Sequence, residues 1–282
     1  MPRRHPDWIK VKAPGHPNYL GLKRLMREKH LHTVCEEARC PNIGECWGNK
    51  TATFLILGDT CTRGCRFCAI DKGKPLALDP EEPRNVGLTV KELGLDHIVV
   101  TSVNRDDLAD GGAAHFAQTV YWIKRLNPSI RVELLIPDFA GNLEALRTVV
   151  NSGIEILNHN IETVPRLYGK VRPGHSYECS LNILHQAKRT RSDMLTKSGF
   201  MLGVGESYDE VMATLRDLRE NSVDIVTIGQ YLQPSDRQLK VDRYVTPDEF
   251  HEFKIAAEML GFRHVESGPL VRSSYHAWSH VS

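Results

Sequence analysis

From about residue 53 onward, short apolar runs alternate with amphipathic segments. Six runs have the length and composition of strands: 53–57, 97–101, 131–136, 154–158, 198–203 and 224–228. Between them lie helical patterns, of which 113–126 and 207–220 are the clearest; Val211, Leu215 and Leu218 recur in the second at helical spacing. Capping-box pairs predict three helix starts, at Thr89 with Glu92, Ser207 with Glu210, and Thr246 with Glu249; Pro247 follows the last at the first helical position. Strands that alternate with helices imply a parallel sheet, because parallel neighbours need a crossover. Six units are too few to close an eight-stranded barrel, so the expected fold is α/β, a partial (β/α)6 TIM-type barrel, with an open doubly wound sheet as the competing architecture.

Two flanks fall outside the alternation. Residues 1–52 are punctuated by Pro and Gly, and residues 267–282 follow the last apolar run, 262–265. The expected division is therefore an N-terminal extension (1–52), the barrel (53–266) and a C-terminal segment (267–282).

A net charge of +1 gives no bulk affinity for nucleic acid or membranes. No apolar stretch approaches the ~18–20 residues that span a bilayer. The opening residues lack the apolar core of a secretory signal, so a cytoplasmic location is expected.

The seven cysteines change the picture. Six lie between Cys35 and Cys68, and Cys179 stands apart. A disulfide framework belongs to small secreted chains, whereas clustered thiols in a reducing compartment are metal ligands. Cys61, Cys65 and Cys68 are spaced C-x3-C-x2-C directly after the first strand, with Gly64 allowing a tight turn between them. Thiolates so spaced converge on one iron–sulfur cluster, and three ligands for four irons leave one iron open. A structural zinc site would want a fourth ligand, and a redox dithiol would leave Cys61 idle. Cys35, Cys40 and Cys46 form a second set, C-x4-C-x5-C, which taken alone also fits a zinc site or buried small hydrophobes.

C-x3-C-x2-C after the first barrel strand resembles the radical S-adenosylmethionine superfamily. The two cysteine motifs in this order, with Thr51-Ala-Thr-Phe-Leu-Ile-Leu57 between them, resemble the lipoyl synthase family in particular. Further stretches similar to that family are Thr101-Ser-Val-Asn-Arg-Asp-Asp-Leu-Ala-Asp-Gly-Gly112, His159-Asn-Ile-Glu-Thr-Val-Pro-Arg-Leu-Tyr168, Val171-Arg-Pro-Gly174, Thr196-Lys-Ser-Gly199 and Gly268-Pro-Leu-Val-Arg-Ser-Ser-Tyr275.

The resemblance implies a sulfurtransferase with two 4Fe–4S clusters and S-adenosyl-L-methionine. A 5′-deoxyadenosyl radical abstracts hydrogen from C6 and then C8 of a protein-bound octanoyl group, and sulfur from the auxiliary cluster takes its place. It also implies partners: octanoylated lipoyl carrier domains (2-oxoacid dehydrogenase E2 subunits and the glycine cleavage H protein), an electron donor such as ferredoxin or flavodoxin, and an iron–sulfur carrier. Carried onto this chain, Cys61, Cys65 and Cys68 hold the radical cluster, and Cys35, Cys40 and Cys46 hold the auxiliary one. A serine of the terminal Arg-Ser-Ser-Tyr completes the latter, Ser274 being chosen over Ser273. An alkoxide holds iron less persistently than a thiolate, which suits a cluster that is to be dismantled.

Cofactor contacts are expected from polar residues just past the strands. Asn104, Asp106 and Asp107 follow the second, and Asn160 and Glu162 follow the fourth, where Glu162 suits the ribose hydroxyls. The Arg172 guanidinium suits a carboxylate. Lys197 and Ser198 are read as structural, Cys179 is given no chemistry, and Gly203-Val-Gly205 is too short for a dinucleotide fingerprint. Arg3, Arg4, Lys10 and Lys12 form a basic entry that could grip an acidic carrier. Competing readings are a biotin-synthase-like or methylthio-transferring radical enzyme, and a zinc-binding interaction protein without catalysis.

Overall fold

A computed structural model describes residues 5–11, 13–48, 52–275 and 277. In chain order its elements begin with α1 (Pro17–Glu28), β1 (His32–Thr33), α2 (Val34–Glu37) and α3 (Ile43–Gly48). The barrel strand β2 (Thr53–Ile56) leads into a small ribbon of β3 (Thr60–Cys61) and β4 (Asp71–Lys72), followed by α4 (Glu82–Leu93). Next come β5 (His97–Ser102), α5 (Ala113–Leu126), β6 (Arg131–Leu135), α6 (Leu143–Val150) and β7 (Ile156–Asn158). The remainder is α7 (Tyr168–Val171), α8 (Tyr177–Thr190), β8 (Leu195–Leu202), α9 (Tyr208–Glu220), β9 (Ile225–Gln230), α10 (Pro247–Met259) and β10 (His264–Gly268).

The large sheet has the order β1-β2-β5-β6-β7-β8-β9-β10, and β2 to β10 pair parallel throughout. Only β1 runs antiparallel, against β2. Among the described residues β1 and β10 do not pair, so the barrel is partial and open, as the alternating pattern predicts. The parallel strands number seven rather than six, because β10 adds to β9 with His264 opposite Ile225. The N-terminal region is not separate from the sheet, since β1 belongs to it.

Local sequence explains the elements. Ser207 and Thr246 both make full capping boxes, with Glu210 and Glu249 reaching back to the cap N–H. The pair Thr89/Glu92 does not: it lies inside α4, where the Thr89 hydroxyl donates to the Asn85 carbonyl at 2.8 Å. That helix begins instead at Glu82-Pro83, with Asp79 accepting from the Glu81 N–H. Strands β2, β5, β6 and β9 carry buried residues on both faces, as parallel strands covered by helices do.

Inside the sheet, Lys197 and Glu133 are fully buried and paired at 2.9 Å, with Asn158 also donating to Glu133. Burial drives the Lys197 pKa down while Glu133 opposes it. The pair sits well short of the strand C-termini that build the cavity, so Lys197 is structural, as read.

Candidate functional site

The C-terminal ends of the strands surround a cavity of about 490 Å3. Its wall includes Cys61, Cys65 and Cys68 together with Cys35, Cys40, Ser273 and Ser274. Two motifs that are distant in role and adjacent in sequence thus face one space.

The Cys61–Cys68 loop leaves β2 and is fastened by the loop after β5. The Asn104 carbonyl accepts from the Thr62 N–H (3.1 Å) and hydroxyl (3.0 Å), and the Asn104 N–H points at the Cys61 sulfur at 3.4 Å. Arg63, inside the motif, donates to Asp106 through Nε at 2.8 Å and Nη2 at 2.7 Å, and to Asp138 through Nη1 at 2.7 Å. Burial opposes the Arg63 charge, but Asp106 and Asp138 outweigh it and raise its pKa. Asp106 is therefore spent on Arg63 and Thr62 and does not line the cavity; Asp107 pairs with Arg105 instead.

The second set is shaped by two short helices. Thr33 caps α2, which begins beside Cys35; the Cys40 N–H donates to the Cys35 carbonyl at 3.0 Å, and Cys46 lies on α3. The C-terminal segment closes over it. Asn42 donates to the Leu270 carbonyl at 2.7 Å, the Arg272 charge acts on Cys40, and Tyr275 lies beside Glu45 and Cys46. This seat needs Gly229: a Cβ there would collide with the Val271 carbonyl. Gly229→Ala is expected to cost roughly 1–3 kcal/mol through overpacking. Thermal denaturation, with iron content measured alongside, should show a lower Tm and weaker retention of iron by the Cys35 set; an unchanged protein would mean the segment is seated otherwise.

All seven cysteines are free. Burial, followed by the nearby Cys40, pushes Cys35 up to about 12, and the same two causes push Cys46 to about 12. Burial also drives Cys68 up to about 12 and raises Cys40 and Cys65. Burial that keeps these five thiols protonated means that none of them behaves as an exposed nucleophile. Among the described residues no three His, Cys, Asp or Glu side chains converge on a single metal ion. A cluster distributes its ligands over several irons, so two open sets of three thiols fit it better than they fit zinc.

Another stretch of the cavity wall is polar and carries unpaired atoms. Asn160 donates to the Ser273 hydroxyl at 2.6 Å, while its Oδ1 and the Arg172 Nε are buried with no partner among the described residues. Arg172 Nη1 donates to the Asn160 carbonyl (3.0 Å) and the Tyr168 hydroxyl (2.6 Å). His159, lowered to about 4 by burial and then by Arg172, is locked between the Ile136 carbonyl and Ser180 and serves as a brace. Glu162 lies at φ 66°, a costly conformation for glutamate, and turns towards the cavity. Burial raises its pKa against the pull of Arg172. Asn104, Asn160, Glu162 and Arg172 are thus gathered on one cavity, and the orphaned atoms fit a polar cofactor.

Sequence reasoning missed His175, whose Nε2 lies 3.5 Å from the Cys65 sulfur. It also missed Asp138, which burial would raise but which His175 and Arg63 hold well below the usual carboxylate range. Neither carries a local motif. Arg3, Arg4 and Lys12 lie outside the described residues; Lys10 is exposed. Among the described residues no helix is long and apolar enough to cross a membrane.

Comparison with known proteins agrees with this geometry. Residues 55–218 match the model of the radical SAM superfamily, and residues 2–40 match the N-terminal domain of lipoyl synthase of that family. The chain is 57% identical over 279 residues to the lipoyl synthase of Roseiflexus sp., covering 99% of this chain and 93% of the relative. It is 56% identical to that of Rubrobacter xylanophilus, covering 96% and 85%. In fold it is similar to methylornithine synthase (TM-score 0.51, 18% identity, 76% of this chain and 70% of that one). It is likewise similar to the FeFe-hydrogenase maturase HydG from Carboxydothermus hydrogenoformans (TM-score 0.61, 15% identity, 74% and 51%). With five free cysteines of the two sets lining one cavity and near-full-length identity above one half, the chain belongs to the lipoyl synthase family of radical S-adenosylmethionine enzymes.

Proposed function

We propose that the cavity between the two cysteine sets is where a protein-bound octanoyl group exchanges one hydrogen at C6 and one at C8 for sulfur, giving the lipoyl group. The observation that carries this reading is the shared cavity, whose lining includes thiols of both sets. When bound, the clusters and S-adenosylmethionine supply an electron, a radical and sulfur, chemistry that no side chain of the protein offers.

The protein's own residues do the rest. Cys61, Cys65 and Cys68 hold one cluster and leave a coordination place free. Asn104, Asn160, Glu162 and Arg172 hold the cofactor: Arg172 and the Asn160 amide suit its amino-acid end, and Glu162 its ribose hydroxyls. Cys35, Cys40 and Cys46 hold the second cluster with Ser274 as fourth ligand. Ser274 lines the cavity and its hydroxyl has no partner among the described residues, whereas the Ser273 hydroxyl is bonded by Asn160. The apolar wall, including Leu55, Leu135, Phe200 and Val271, accommodates an alkyl chain and keeps water from the reacting carbon. In this reading 1–52 and 267–282 build the sulfur-donating half and 53–266 the radical-forming half.

An octanoyl-lysine on a carrier domain of a 2-oxoacid dehydrogenase or of the glycine cleavage system enters from the cavity mouth. There Arg39, Lys72 and Arg237 are exposed against one carboxylate, Asp71, around an adjoining hollow. This rim is where an acidic carrier docks. Arg39→Glu with Arg237→Glu should raise KM for a carrier domain several-fold and flatten its salt dependence, leaving KM for a short octanoyl-lysine peptide unchanged. Equal effects on both substrates would remove the docking role. The reaction is placed in the cytoplasm, with a ferredoxin- or flavodoxin-like reductant and an iron–sulfur carrier that restores the consumed cluster.

The function is tested by anaerobic incubation of reconstituted enzyme with reductant, S-adenosylmethionine and octanoyl-lysine peptide. Mass spectrometry should find the peptide with two added sulfurs and 5′-deoxyadenosine beside it. Neither product from a protein verified to hold both clusters would refute the assignment.

A further inference from the structure

Beside the Cys61–Cys68 loop stand His175, Asp138 and Arg63, side chains that no step above uses. His175, whose side chain is 1% exposed, points Nε2 at the Cys65 sulfur across 3.5 Å. Its other nitrogen, Nδ1, lies 2.8 Å from Arg63 Nη1, 3.2 Å from Arg172 Nη2 and 2.8 Å from Asp138 Oδ2. Asp138 in turn accepts from Arg63 and from the Ala140 N–H, so the histidine ring is clamped between two elements that do not move independently of the cysteine loop.

The proton arrangement follows from these neighbours. Guanidinium groups only donate, so if Arg63 and Arg172 bond Nδ1, that nitrogen accepts and Nε2 carries the hydrogen. Asp138 Oδ2, 2.8 Å from Nδ1, takes its hydrogen from Arg63 Nη1, also 2.8 Å away. The other neutral tautomer would set a bare nitrogen lone pair against a thiolate, two acceptors facing each other inside a buried pocket.

We propose that His175 is a positioning residue for the radical cluster, donating an Nε2–H hydrogen bond to the Cys65 sulfur and raising that cluster's reduction potential. The inference rests on Cys65 being a cluster ligand. A hydrogen bond to a ligand sulfur draws electron density away from the irons and favours the state that has gained one electron. The bond therefore makes it easier for the reductant to deliver the electron that starts each turnover. Arg172, whose charge also acts on Cys65, adds to the same effect from a second direction.

The test is an EPR-monitored redox titration of the reconstituted full chain. A background in which Cys35, Cys40 and Cys46 are all alanine leaves only one cluster to titrate. With iron content equal to the parent, His175→Leu should titrate at a more negative potential. His175→Gln, which keeps an N–H of similar reach, should return part of the way. Equal potentials in all three proteins would overturn the proposal. Should His175→Leu fail to fold, the parent itself decides: after labelling histidine with 15N, pulsed EPR of the reduced cluster should show a nitrogen coupling and an exchangeable proton. Absence of both would equally overturn it. A Cys65→Ala protein that still assembles the cluster would instead refute the ligand assignment, a separate result.

Discussion

Cys65→Ala should abolish both 5′-deoxyadenosine formation and sulfur insertion, each by more than ~100-fold, since losing a ligand exceeds the 10–100-fold cost of losing a ligand's supporting partner. The loop carries three thiols and no fourth, so the remaining two cannot hold a cluster with an open iron. The rest of the fold should survive. Cys65 is partly exposed on a loop whose backbone is fixed by the Asn104 carbonyl and by Arg63, not by the cysteine itself. Circular dichroism and Tm near the parent values, with iron content reduced to that of the Cys35 set, would establish that chemistry and not folding was lost. Retained deoxyadenosine formation would show that the radical cluster is held elsewhere.

Cys40→Ala should separate the two halves of the reaction. This residue lines the same cavity as the radical set, lies beside the other two cysteines of its own set and feels the Arg272 charge. Its loss leaves the Asn160, Glu162 and Arg172 wall untouched, so 5′-deoxyadenosine formation should persist while sulfur insertion falls by more than ~100-fold. The same experiment distinguishes the serines. Ser274→Ala should weaken iron retention by the Cys35 set, and Ser273→Ala should remove only the Asn160 bond. Ser274→Cys should retain the cluster and slow sulfur release, because a thiolate holds iron more firmly than an alkoxide. Equal behaviour of Ser273→Ala and Ser274→Ala would leave no basis for choosing Ser274.

What could be read from the chain followed what its physics writes locally. Parallel strands buried on both faces appear as apolar runs, so β2, β5, β6 and β9 were legible to within two residues. Strand β10 was not, because Glu266, Ser267 and Gly268 at its end are only half buried at the sheet edge and break the run. The Thr89/Glu92 pattern failed because a threonine inside a helix can satisfy itself on the carbonyl four residues back, a choice that spacing does not reveal. Cysteine spacing exposed both sets, since the members of each lie within a dozen residues of one another. By contrast, the link from Arg63 to Asp138 and His175 spans up to 112 positions and exists only once the strand ends are brought together. Asp106 had the right place after a strand, yet its carboxylate serves Arg63, which a position after a strand does not foretell.

In the proposed reaction the Cys35, Cys40 and Cys46 set supplies the sulfur. A single turnover with enzyme whose clusters are rebuilt with 34S-sulfide, followed by mass spectrometry of the peptide, tests this. The expected product carries two heavy sulfurs in enzyme with both sets intact, and none forms in Cys40→Ala. Product containing only natural-abundance sulfur would contradict it and make the second cysteine set a structural or electron-transfer centre.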